Sequence, residues 1–476
     1  MCILQFALAM AVPAVTLDEY LRTLRGSHPL FVRERLAGEI ERKRQDGLRG
    51  GEDWSIAARP AYRFDEPIER QFLTPSEMDN VHVGVGLERP YWRTGGRVGL
   101  SYDYDYTDQD VPLALLPVGA GEAVDISSPA RFFENTIALS YTQPLLRNRG
   151  GRQDRLAYDL QGYTAVQAEL GAMENQEAFL RDVALRFVDW ALLSEKQEIA
   201  ERRLRLAQQQ REQAQKRLDA NLVEQVDLLR AEDAVIVGER NAKLVQARRG
   251  AVQTELGVLI AARDFGDASP AFDIYRREKA PLADRVVKRL LARSRALNSV
   301  DQRVAQVQQD RAAADDDERA QLDLVLTGGA KDGAQDNGDA TEFSRLSYGV
   351  ALSYTYSIGN TRARARVEQL ALEEQQVRAE RRNTALQLEA AARSLVAEIR
   401  ALEPVLDLNA GQIATGAKKT AEELRLYEQG RNQLTFVIQS RDDEARAQLA
   451  YAQNAANYQR LILRLKALTD ELLPND

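Results

Sequence analysis

Cysteine is all but missing. The 476-residue chain has one, Cys2, so neither a disulfide framework nor a cysteine-based metal site can form within it. Histidine is nearly as scarce: His28 stands before a proline and His82 on an alternating stretch. They lie far apart in sequence with no Ser–acid constellation near either, so a Ser–His hydrolase has no support and both read as structural. No run of about 18 apolar residues occurs, which excludes a transmembrane helix. It does not exclude a membrane β-barrel, whose alternating strands contain no such run. No Gly-rich phosphate loop opens a helix with a lysine, so nucleotide hydrolysis lacks its motif. Asp315, Asp316 and Asp317 read as a solvated helix end. No catalytic, metal-binding or cofactor-binding residue is assigned, and the chain is not read as an enzyme. An excess of basic charge is also absent: the net charge is −8 and the pI about 5.3, which argues against nucleic acid as a partner. Arg362, Arg364 and Arg366 read as a solvated helix face. Aromatics make up 7% against 29% charged residues, with a mean hydropathy of −0.43, a balance that suits long solvent-washed helices.

What the sequence does contain is one plan used twice: strand, short turn, long helix. In residues 136–143, Ile137, Leu139 and Tyr141 alternate with Thr136, Ala138, Ser140 and Thr142, as a strand with one apolar and one polar face requires. Pro144 ends the ladder, a Gly-containing turn follows, and helix formers dominate from 152 to 263. In 347–356, Tyr348, Val350, Leu352, Tyr354 and Tyr356 alternate with Ser347, Gly349, Ala351, Ser353 and Thr355, and a second long helical region follows from 361 to 473. Residues 97–108 are the clearest strand, with Tyr102, Tyr104 and Tyr106 on one side and Ser101, Asp103 and Asp105 on the other. A barrel wall with a lipid-facing aromatic girdle and a wet lumen needs that arrangement. The lipid-facing set is therefore Tyr102, Tyr104, Tyr106, Leu139, Tyr141, Tyr348, Leu352, Tyr354 and Tyr356.

Around this repeat the chain divides into a signal-peptide-like segment, 1–14, and an N-terminal helical and irregular stretch, 15–80. The first barrel strands with an exposed loop occupy 81–143, and a long helical hairpin 144–265. A linker, 266–281, and a short helical segment, 282–320, precede the second strand pair, 321–357, and the second long hairpin, 358–473. The opening segment ends its apolar run in Val12-Pro13-Ala14, which fits cleavage after Ala14, although the usual basic residues before it are missing. Export agrees with the scarcity of cysteine. Thr16 and Glu19 form a capping box, and 50–79, with Pro60, Pro67 and Pro75, reads as irregular. The first long helix spans roughly 100 Å at 1.5 Å per residue, more than one chain can cover. The two hairpin turns align, with Asn221 to Ala231 standing to the first half as Gly430 to Ser440 stand to the second. Asn and Gly there suit the positive φ of a helix end.

Four strands cannot close a barrel, and hydrocarbon does not tolerate open sheet edges. Copies must assemble. The expected fold is an α+β membrane protein, a long antiparallel α-helical barrel plus a β-barrel, with four strands per chain and closure by self-assembly, two copies giving eight strands and three giving twelve. The alternative, a periplasmic coiled-coil adaptor or structural protein, accounts for the helices but leaves the tyrosine rows unexplained. It also lacks the β-rich module expected to split an adaptor's hairpin.

The residues resemble the outer membrane efflux protein family of TolC type over nearly the whole chain. The resemblance rests on Ser140-Tyr-Thr-Gln-Pro144-Leu-Leu, on Asn221, Asp227 and Ala231 at the first turn, and on Tyr427, Gly430 and Val437 at the second. The strand at 99–106 after Thr94-Gly95-Gly96 adds to it. It implies a homotrimer in the bacterial outer membrane with a periplasmic extension and a twelve-stranded barrel against outer-membrane lipid. It further implies docking to an inner-membrane pump through a periplasmic adaptor, as a passive exit duct for efflux or type I secretion. The periplasmic tip meeting the adaptor would comprise Asn221, Leu222, Val223, Asp227, Gly430, Asn432 and Phe436. By the same resemblance Asp227, Tyr427, Phe436 and Gln439 stand at the entrance constriction. Relatives carry acidic residues where this chain has Phe436 and Gln439.

Overall fold

The computed structural model describes residues 14–68, 75–110, 115–118, 122–125, 131–262, 265–335 and 342–473. The proposed signal segment, Ala14 apart, lies outside them. Eight α-helices are described: α1 Leu17–Ser27, α2 Pro29–Leu48, α3 Arg152–Asp219, α4 Gln225–Leu259, α5 Ala283–Arg293, α6 Arg295–Asp317, α7 Thr361–Glu428 and α8 Leu434–Leu468. The Thr16 capping box forms as the sequence requires. Pro29 occupies the first position of α2, where a missing N–H costs nothing. The short helical segment expected over 282–320 is two helices, because Ser294 is extended between α5 and α6.

The internal repeat is closer than composition alone suggests. α3 and α7 both have 68 residues, and α4 and α8 both have 35. Arg152 corresponds to Thr361, Asp219 to Glu428, Gln225 to Leu434 and Leu259 to Leu468, each 209 positions on. α7 stays helical through Pro404.

The chain separates into two compact units. The first comprises 1–38, 167–301 and 379–476. Its core gathers Tyr20, Phe187, Trp190 and Phe265, with ring centroids 5.2–5.9 Å apart, and Tyr20 donates to the Leu256 carbonyl at 2.8 Å. Truncating one such buried aromatic to alanine costs about 3–5 kcal/mol. The linker is held down: the Gln253 amide lies 2.9 Å from the carbonyls of Phe265 and Ala268, and Ala14–Val15 pairs in parallel with Ser269–Pro270. Glu177, buried, accepts from Arg295 at 2.9 Å and from the Leu472 and Leu473 amides at 2.8 and 3.0 Å. That fastens the end of the chain to α3.

The second unit, 39–166 and 302–378, contains one six-stranded antiparallel sheet. Its strands are β1 Ser55–Asp65, β2 Glu77–Tyr91, β3 Gly96–Asp110, β4 Arg131–Pro144, β5 Gln321–Ala334 and β6 Arg345–Thr355, adjacent in the order β6-β5-β4-β3-β2-β1. Six strands replace the four expected. β2 runs longer than its visible alternation, and β1 lies in the stretch read as irregular. Pro60 hid β1, because proline reads as a strand breaker; on an edge strand it is tolerated. The chain passes between the sheet and α2, α3, α6 and α7 at a single end of the strands, the end of Ser55, Pro144, Gln321 and Thr355. The turn between β2 and β3 abuts the start of α3: Gly151 has φ +67°, and a Cβ on it would overlap the Trp92 carbonyl. Residues 108–131 join two paired antiparallel strands as expected. A short hairpin, Leu115–Val118 with Glu122–Asp125, is described within them.

Candidate functional site

The sheet registers place side chains on two faces of unlike chemistry. The rung Tyr62, Val81, Tyr106, Phe133 and the rung Ala58, Val85, Tyr102, Ile137, Ala330, Leu346 lie on one face. Leu139, Tyr141, Leu326, Tyr348, Val350, Leu352 and Tyr354 share it. Every residue expected to face lipid falls here, except that Tyr356 lies just past the end of β6. The opposite face carries His82, Gly84, Ser101, Asp103, Asp105, Thr136, Ser140, Thr327, Lys331, Ser347 and Ser353. The apolar face is open to solvent in the single chain: Tyr348 is 93% exposed, Ile56 75% and Leu352 66%, while Tyr104, Tyr106 and Tyr141 are half-buried by neighbours within the sheet. A soluble sheet buries such a face. From Leu346 to Tyr354 the row measures roughly 27 Å at 3.4 Å per residue, or roughly 21 Å after a 40° tilt, near the ~25 Å apolar band of outer-membrane barrels. Polar groups bound it at the loop end, where Tyr62 donates to Asp79 at 2.5 Å and Tyr106 to Asp108 at 2.9 Å.

The polar face brings together residues that sequence separation had kept apart. His82 Nδ1 lies 2.7 Å from Asp105, and Ser101 Oγ donates to Asp103 at 3.1 Å. Asp103 sits between Ser101 and the His82 Nε2 side, 3.9 Å from the ring. In a Ser–His–Asp triad the serine bonds the histidine, whereas here Ser101 bonds the Asp103 carboxylate. No group of three or more His, Cys, Asp or Glu side chains arranged to hold a metal occurs among the described residues.

At the helix turns the repeat becomes geometric. Asn221 has φ +55° and Gly430 φ +70°. Leu222 N–H bonds Arg217 C=O at 2.8 Å, and Arg431 N–H bonds Leu426 C=O at 2.9 Å. Both turns are thus Schellman closures. Beyond them Leu222, Val226, Leu229 and Phe436 are exposed, as are Asn221, Gly430 and Gln439, while Val223, Asp227 and Asn432 are half-buried. Asp227 pairs with Arg230 at 3.2 Å. Asn432 donates to Glu423 and accepts from the Gln433 amide at 2.8 Å. Tyr427 is placed differently from its expected companions. It is 5% exposed, packed with Ala214, Leu228, Ala231, Leu434 and Val437, and covered by the Arg217 guanidinium 4.3 Å from its ring centre. Arg217 also donates to the carbonyls of Tyr427 and Glu428 at 3.2 and 3.3 Å, satisfying the end of α7. Arg217 is a residue that sequence reasoning passed over; a cation within the last turn of a helix, aligned with Leu426, was its one visible sign.

No family model and no curated protein matches the chain. Solved structures do. CusC, described in terms of folding and transmembrane channel formation, superposes with a TM-score of 0.68 at 12% identity, covering 98% of this chain and 96% of its own. The outer-membrane channel OprN gives 0.67 at 14% identity over 96% and 90%. The outer membrane protein VceC of Vibrio cholerae gives 0.65 at 12% over 95% and 96%. This chain therefore shares the fold of these solved outer-membrane channel proteins.

Proposed function

We propose that the chain is the outer-membrane exit duct of a tripartite efflux or type I secretion machine, a passive conduit from periplasm to exterior that works as a homotrimer. One observation carries this reading: an apolar sheet face six strands wide that nothing among the described residues covers. Lipid is the solvent that suits such a face, and the polar face, with His82, Asp103, Asp105 and Lys331, then lines a wet lumen. The outer strip of α4, with Leu229, Ile236, Leu244 and Val258 exposed, is a further apolar surface that neighbouring copies would cover. On this reading the strands lie in the outer membrane and the helices in the periplasm, where an adaptor links the duct to an inner-membrane pump.

The two turns form the adaptor-facing tip, with Leu222, Val223 and Phe436 as apolar contacts, Asn221, Gly430 and Asn432 shaping the loops, and Asp227 beside them. Asp227, Phe436 and Gln439 stand at the entrance, with Tyr427 as the packed residue behind. Full-length protein extracted from outer membranes and added to planar lipid bilayers tests the function. Discrete conductance steps from a species of three copies are expected. A monomer that leaves the bilayer silent would contradict it. Cysteines at Leu222 and Phe436 should cross-link a co-expressed adaptor, and cross-links confined to the sheet's loop end would displace the tip.

A further inference from the structure

The sheet ends in two strands with nothing on their outer sides: among the described residues β1 pairs with β2 alone and β6 with β5 alone. Both have eleven residues, and both are exposed along nearly their whole length. Each continues the apolar face, β1 through Ile56, Ala58, Pro60, Tyr62 and Phe64 and β6 through Leu346, Tyr348, Val350, Leu352 and Tyr354. In hydrocarbon a row of unpaired N–H and C=O groups costs several kcal/mol per group, so both edges must find partners. One chain cannot join its own edges, since six strands fall below the eight of the smallest membrane barrels. β3 is not a free edge either. β2 occupies it over its whole length, from Glu77 opposite Asp110 to Tyr91 opposite Gly96.

Resting on the duct reading, we propose that β6 of one copy pairs antiparallel with β1 of the next, so that each copy contributes six strands to the wall. Six antiparallel neighbours leave β1 and β6 running in opposite directions, so the seam is antiparallel like every other rung. A trimer then has eighteen strands rather than the twelve implied by the family resemblance. With strands 4.8 Å apart and tilted 40°, the wall widens from roughly 24 Å to roughly 36 Å across. In the flush register Asp65 stands opposite Arg345, Tyr62 opposite Tyr348 and Ile56 opposite Tyr354. Pro60 removes at most one donor from the seam. The apolar face is continuous only when even-numbered residues of β1 meet even-numbered residues of β6.

That parity is the test. In full-length protein carrying Cys2→Ser, Ala57→Cys or Arg59→Cys on β1 is combined with Ala351→Cys or Ser353→Cys on β6, all four on the polar face. Mild oxidation in outer membranes should give reducible dimers and trimers, at least tenfold above the opposite-face control Ala57→Cys with Leu352→Cys and above each single cysteine. Thr136→Cys with Lys331→Cys, opposite each other within the sheet, should close inside one chain and report that the sheet has formed. If the sheet reporter closes and a conducting oligomer is present, yet none of the four same-face pairs links copies, the seam is wrong while the duct stands. A silent monomer overturns both. Equal yields from same-face and opposite-face pairs overturn the seam as well.

Discussion

Tyr427 shows how a residue's surroundings decide its use. Its ring fills the junction of the two hairpins, but its buried hydroxyl has no hydrogen-bond partner among the described residues, and an unmet buried hydroxyl costs about 1–3 kcal/mol. Tyr427→Phe is therefore expected to hold or raise the melting temperature in detergent, whereas Tyr427→Ala should cost about 3–5 kcal/mol. A drop with phenylalanine as large as with alanine would mean that the hydroxyl has a partner in the assembled protein. Glu34 poses the opposite case. It is buried on α2, and the Asn175 amide of α3 donates to it at 3.0 Å. That bond, with Arg33 adding to it, holds the Glu34 carboxyl below its ordinary value. A lowered acid stabilises the fold above its unfolded pKa near 4.5, and the benefit fades as pH falls through the lower folded value. Asn175→Ala should lower the melting temperature at pH 7 and converge on the wild type in strong acid. A difference that persists unchanged at low pH would assign the contact to packing alone.

At the scale of elements, the two hairpins were legible because their turns announce themselves. Asn221 and Gly430 are separated by the same 209 residues that relate the helix ends, and positive φ explains why those two residue types stand there. Gly430→Ala should destabilise by about 1–2 kcal/mol, and Asn221→Gly should be neutral or stabilising, both measurable by thermal unfolding. The tyrosine rows were equally legible, since a period of two survives any lateral arrangement of strands. β1 was not. Pro60 interrupts its apolar run, and Ala57, Ala58 and Ala61 give it little contrast between faces. The outer row of α4 could be read as apolar, but not which of its two rows, Leu228–Ala231–Val235 or Leu229–Ile236–Leu244, faces its own chain. Periodicity gives a stripe; only packing gives its partner. Tyr427 was found by resemblance and its burial by packing, which no spacing in the chain reveals.

For the whole molecule, strand count is where sequence and structure differ most, and it changes what an assembly can be. On the duct reading, six strands per copy instead of four lengthen the wall while each of three copies still supplies a third of it, with a correspondingly wider lumen. The central claim is that this face meets lipid while its reverse meets water. The most direct measurement is spin-label accessibility along β6 of the full-length protein in liposomes, one cysteine at a time from Leu346 to Tyr354 on the Cys2→Ser background. The account predicts strict alternation: labels at 346, 348, 350, 352 and 354 relax with oxygen dissolved in the acyl chains, and those at 347, 349, 351 and 353 with a water-soluble nickel chelate. Uniform access of the nickel chelate to both sets would contradict it.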